Sequence, residues 1–314
     1  MILDVNEELR VTAAHPPAVF SLHRCDPSKL FHEVQMKRHP LAAYNVSIAA
    51  VAKRFGSVLN ALEALKFDRS TEMPIKAGED STLLEATDHL LDSLMEHMED
   101  CEKIIASFFE DPTQKTNKKK IEHYKRKVNP YRDFIGRIDN FIKHHQGRLR
   151  LITFYDAVSV FPGYYIEGLV APGVIGPAPG IHPGGNSAFS YARDLRFHMV
   201  NVFGVSRYLS NFLEDLGVLL TQDSLPTPTT PIQTDGTWAD TLKRIASIAP
   251  VFYPDEVKKP LPSIIFTSDE VSIRFPNNAT ERNSFPGGTR VVSSIAGDGV
   301  TRSFKIPYFG DGNT

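Results

Sequence analysis

Between residues 40 and 67 the apolar positions Leu41, Tyr44, Val46, Ile48, Val51, Phe55, Val58, Leu59, Leu62 and Leu65 keep helical spacing, with no proline after Pro40. That spacing predicts one long helix. A second stripe, Leu84, Leu91, Leu94, Met98, Cys101, Ile105 and Phe108, follows a turn at Pro74 and Gly78, with Asp80 or Ser81 as its cap and Pro112 as its stop. Residues 115–127 carry too few apolar side chains for a buried face and read as a basic loop or short helix. A further helix is expected from Asn129-Pro130, with Tyr131, Phe134, Ile138, Phe141, His145 and Leu149 along one side, because proline suits the first helical position. After Arg150 the period changes to that of strands. Residues 151–158 and 164–170, rich in branched and aromatic side chains and separated by Phe161-Pro162-Gly163, predict a β-hairpin.

The prolines and glycines of 171–185, crowded around Ile181-His182, predict a shaped loop, and Ser187 or Ser190 then caps a last long helix reaching about Leu220. Residues 221–236 are rich in proline and threonine without periodicity, as in an extended linker. Beyond them come a short helix at 238–248 and strands at 263–267, 270–275, 290–294 and 301–307. The expected fold is α+β and mainly α. It comprises an N-terminal segment at 1–39, an antiparallel helical bundle over 40–220 with an inserted β-hairpin and a Pro/Gly loop, the linker at 221–236, and a small β-rich unit at 237–314.

Composition narrows this picture without changing it. A chain of 314 residues, 41% hydrophobic and 23% charged, is globular and exceeds one ordinary core. Cys25 and Cys101 are too few for a disulfide framework or a zinc site, which points to a reducing, cytoplasmic setting; no cofactor and no metal is expected. The acidic start and the absence of any run of about 18 apolar residues argue against export and against a membrane span. GxxxxGK[ST], HExxH, GxSxG and GxGxxG are all absent, which sets P-loop, zincin, hydrolase-elbow and dinucleotide chemistry aside.

The net charge of -2 hides a strong asymmetry. Residues 79–111 hold eleven acids against Lys103 alone, while 112–150 hold twelve bases against three acids. Two readings stand open: neighbouring helices that neutralise each other, or a surface for an anion or nucleic acid. Within the basic stretch Arg137, Asn140, His144 and Arg148 share one helical face, with Lys143 beside them, so His144 could serve as a general base while the arginines hold a phosphate. His182, fixed between Ile181 and Pro183, is a second candidate for lining a site.

Arg193-Asp194-Leu195-Arg196-Phe197-His198 places an arginine, a polar residue and a histidine in the order that resembles the RxxxxH signature of the HEPN superfamily. Arg137 and His144 fit a looser version. The resemblance implies a helical bundle, metal-independent ribonuclease chemistry in a toxin or defence role, and often a homodimer. Arg137 or Arg193 would stabilise the phosphate, and His144 or His198 would transfer the proton. Asn140, Lys143, Arg148, His182 and Asp194 would then bind substrate. The partner would be RNA; the alternative is a non-catalytic module whose helical part docks a protein.

Overall fold

The computed structural model describes residues 8–12, 14–65, 79–155, 160–220, 237–251, 253–257, 259, 261–267, 270–274, 290–293 and 303–308. In chain order these form β1 (Glu8–Thr12), α1 (Ala18–His23), α2 (Pro40–Ala64), α3 (Glu79–Ala106), α4 (Lys115–His144), β2 (Arg148–Tyr155), β3 (Val160–Ala171), β4 (Val174–Pro177), β5 (Phe189–Ser190), α5 (Tyr191–Asp215), α6 (Thr237–Ser247), β6 (Ser263–Phe266), β7 (Glu270–Arg274), β8 (Arg290–Ser293) and β9 (Ser303–Phe304). The described residues thus make a mixed α/β fold with six helices and two sheets. The expected linker at 221–236 and the turn at Pro74 and Gly78 lie outside the described residues.

Helices α2 and α3 form where the apolar period predicts them. Helix α2 buries Tyr44, Ile48, Val51, Phe55 and Val58 of its expected stripe and exposes Val46, while α3 buries Leu91, Leu94, Met98, Cys101 and Ile105 of its own, with Leu83 and Leu90 enclosed beside them and Leu84 half-buried. The Ser190 hydroxyl accepts the Arg193 N–H and caps α5, and the α5 side chains Leu195, Met199, Phe203 and Leu209 are fully enclosed.

Helix α4 departs from expectation. Residues 115–127 are helical and continuous with the helix beyond them, so Pro130 lies inside α4 rather than at its start. Tyr124 and Val128 anchor the first half, Tyr131, Ile135 and Ile138 the second, and all five are buried. An interior proline removes one backbone hydrogen bond and crowds the preceding turn. Buried side chains on both sides of exposed Pro130 hold the helix through that defect, because tertiary packing rather than propensity supplies most helical stability. At the other end, Gln146 adopts φ +55° and the Gly147 N–H bonds back to the Phe141 carbonyl, which ends the helix. Arg148 therefore belongs to β2, and His145, expected on an apolar face, is exposed with its ring stacked on Phe141 at 5.5 Å.

The Pro/Gly stretch 171–185 is not all loop. Val174–Pro177 is strand β4, antiparallel to β3, with Gly173 turning at φ +72°. Strand β2 pairs antiparallel with β3 over eight register positions, from Arg148↔Glu167 to Tyr155↔Val160. Strands β8 and β9 extend this sheet at β2 and β4, giving the order β8-β2-β3-β4-β9, with β5 beside β3. The second sheet, β1-β7-β6, joins the N-terminal strand to two strands from beyond residue 260. One buried apolar cluster runs from Leu9 through α2 to α6 and on to Ile273, so segments on both sides of 221–236 share a core.

Candidate polyanion interface on α4

Helix α4 carries ten bases and three acids between Lys115 and His144. Packing against α3 divides them. Lys125 and Arg132 both reach Glu102 of α3, at 3.0 and 3.2 Å, and Lys143 bridges Asp92 of α3 and Asp139 at 3.2 and 2.8 Å. These contacts, Asp139 first, push the Lys143 ammonium well above its ordinary pKa. The other seven bases, Lys115, Lys118, Lys119, Lys120, Arg126, Lys127 and Arg137, are exposed, and the acids among them are Glu122 and Asp133. Lys127 lies 5.9 Å from the Tyr208 ring of α5, and Arg137 donates only to the Asp133 backbone carbonyl, at 3.3 Å. Mutual neutralisation of α3 and α4 thus takes up three of ten cations, and the rest face solvent.

Sequence reasoning placed Arg137, Asn140 and His144 on one face, and all three are exposed along α4. Lys143 is drawn away into its carboxylate pair, while Arg148 is exposed on β2 just past the helix end. Lys118, Lys119, Arg126 and Lys127 were not recognised as candidates. Residues 115–127 hold too few apolar positions to show a helical period that would join them to Arg137.

The second signature goes inward. His198 is 1% exposed; its Nδ1 lies 3.0 Å from the Tyr131 hydroxyl and its Nε2 3.2 Å from Asp194 Oδ2, a contact whose angle is not that of a hydrogen bond. Asp194 accepts the Tyr164 hydroxyl at 2.7 Å. Burial, with the Asp194 charge adding to it, holds the Tyr131 and Tyr164 phenols well above their usual pKa. This cluster ties α4, α5 and β3 together. Arg193 sits half-buried over the Phe197 ring, at 6.0 Å, on a different face of α5 from His198. The neighbouring Arg196 is buried and donates to the Ala192, Ala246 and Ile248 carbonyls, so it closes the C-terminal end of α6.

His182 is fully buried as well. Its Nε2 accepts the Ile166 N–H at 2.9 Å and its ring packs on Phe189, fixing the loop to β3. Burial lowers its pKa to about 4, as it does for His97, whose Nδ1 pairs with the Ser47 hydroxyl at 2.9 Å. Glu256 shows the opposite displacement: enclosed against Ser190 and the Tyr253 N–H, its carboxyl is pushed up to about 7 by burial.

Among the described residues no group of three or more His, Cys, Asp or Glu side chains is placed to hold a metal ion, and no helix is long and apolar enough to cross a membrane. Comparison with protein-family models, with curated proteins and with solved structures gives no match to this chain.

Proposed function

We propose that the chain binds RNA along the solvent face of α4, through phosphate contacts from Lys115, Lys118, Lys119, Arg126, Lys127 and Arg137. The observation that carries this reading is the division of charge on α4. Three cations are spent on α3 carboxylates, and seven are held outward on a rigid helix with two exposed acids among them. An array of this kind neutralises a phosphate backbone and releases its counterions on binding. The finer architecture belongs to the same proposal: α2 to α5 as a helical bundle of the HEPN kind with β2–β3 as an inserted hairpin, working in the cytoplasm. The unpaired thiols of Cys25 and Cys101, both buried, support a reducing setting.

Cleavage has less support than binding. Ribonuclease chemistry needs a phosphate-binding arginine and a proton-transferring histidine at one phosphate. His198 is enclosed, and Arg137 and His144 stand two helical turns apart, about 10 Å along α4. Fluorescence anisotropy with a labelled RNA of about 20 nucleotides tests the reading, since binding through phosphates must weaken steeply between about 50 and 200 mM salt. Replacing Lys118, Lys119 and Arg126 with glutamate is expected to weaken binding at least about tenfold and to flatten the salt slope by roughly 2 or more. Binding unchanged by the triple replacement would overturn the reading. RNA fragments that vanish in His144→Ala would extend it to catalysis.

A further inference from the structure

The cations of α4 are not spread evenly. Lys115, Lys118, Lys119, Lys120, Arg126 and Lys127 form one exposed group on the first half of the helix. Arg137 opens a second on the last two turns, and Arg148 continues it directly on β2. Between them the exposed positions on the same face are Pro130 and Asp133. From Lys127 to Arg137 is ten residues, about 15 Å along the axis. The interval carries no cation toward solvent and one carboxylate, because Arg132 is turned aside to Glu102.

A single phosphate chain lying lengthwise on α4 would pass directly over Asp133. A helix laid across a groove would not: each cationic group would meet one backbone, and Pro130 and Asp133 would stand over the gap. The openings on this scale are the wide, shallow minor groove of an A-form RNA duplex and the major groove, roughly 12 Å wide, of B-form DNA, each widened by the reach of lysine and arginine side chains at its rims. The aromatic residues of α4 support the same choice. Tyr124 packs on Phe212, Tyr131 on Phe197 and His198, and Phe134 on Phe189 and Phe197, so these three rings are committed to the interior, and half-buried Phe141 is covered by His145 at the helix end. Readers of single strands turn such rings outward to stack on bases. Lysines and arginines aimed at backbone alone read shape and charge.

Resting on the RNA-binding reading above, we infer that the ligand of α4 is double-stranded, gripped by its two phosphate backbones across one groove without reading base sequence. The shared chemistry is a duplex backbone, and an RNA duplex and a DNA duplex are separated by direct comparison.

The test titrates the full chain with a blunt RNA duplex, the corresponding single strand and the DNA duplex of the same sequence, at one salt concentration. The duplex is expected to bind at least about tenfold tighter than the strand, with scrambling of the sequence having no effect. Asp133→Lys bridges the two groups into one track and is expected to raise affinity for the single strand more than for the duplex. Arg137→Glu with Arg148→Glu removes the second group and is expected to abolish the preference for duplex. Thermal melting of each variant confirms that the fold persists. A strand bound as tightly as the duplex, or an Asp133→Lys variant that favours the duplex further, overturns the inference and leaves RNA binding standing. Failure of every nucleic acid to bind overturns both. Tighter binding of the DNA duplex keeps the two-backbone geometry and reassigns the ligand.

Discussion

Replacing Glu256 with glutamine should make the fold more sensitive to acid, and the size of the effect follows from three buried groups. His97 and His182 are held neutral, with pKa values displaced from 6.5 to about 4. The unfolded chain takes up these protons first, so the stability they allow is complete above 6.5 and is lost as the pH falls towards 4. At 1.36 kcal/mol per pH unit, moving from pH 7 to 5 removes about 2 kcal/mol for each ring, or about 4 kcal/mol together. Glu256 acts with the opposite sign. Its folded pKa of about 7 lies above the ordinary 4.5, so it stabilises below 4.5 and loses that contribution as the pH rises through 7. Over the same interval, pH 7 to 5, it returns about 2 kcal/mol.

The three together lose about 2 kcal/mol, and without the Glu256 carboxyl the loss is about 4 kcal/mol. The groups facing these sites do not reverse the signs: Asp100 near His97, Asp255 and Lys259 near His182, and Arg193 near Glu256 are secondary to burial. Urea unfolding of the natural chain and of Glu256→Gln at pH 7 and pH 5 measures the difference directly, because every other titrating group is common to both. Parallel pH profiles for the two proteins would refute the reasoning, as would NMR titration of either buried imidazole near 6.5.

Pro130→Ala restores an amide that can donate to the Arg126 carbonyl within a helix already formed, and is expected to raise stability by about 1–3 kcal/mol in a denaturant titration. A loss instead would mean that α4 needs the proline's local geometry. Arg196→Met leaves the Ala246 and Ile248 carbonyls at the end of α6 without their donor and should cost about 2–4 kcal/mol, with early exchange of the α6 amides. A cost below about 1 kcal/mol would show that water takes the place of the guanidinium.

Periodicity revealed α2, α3 and α5 because each repeats its apolar positions over many turns and has a cap or a proline at an end. The first half of α4 was hidden for the converse reason: between Lys115 and Pro130 its buried anchors are Tyr124 and Val128, and the rest of its helicity comes from neighbours that sequence spacing cannot show. The Arg137–His144 face was legible as a polar stripe, but its continuation to Arg126 and Lys119 depended on the helix surviving Pro130. His182 and His198 looked reactive in sequence because a histidine carries no mark of burial. What fixes them inside, the Ile166 N–H for one and Tyr131 for the other, comes from separate strands and helices. The pairing of β1 with β7 has no local signal at all.

That pairing also imposes an order of events on a newly made chain. Glu8–Thr12 pairs with Glu270–Arg274, so β1 must wait for a partner made some 260 residues later. At a synthesis rate of about 5–20 residues per second the wait is roughly 13–50 s, during which the helices can pack while the three-stranded sheet cannot form. Until then Leu9, a core residue of the finished protein, has no sheet to enter.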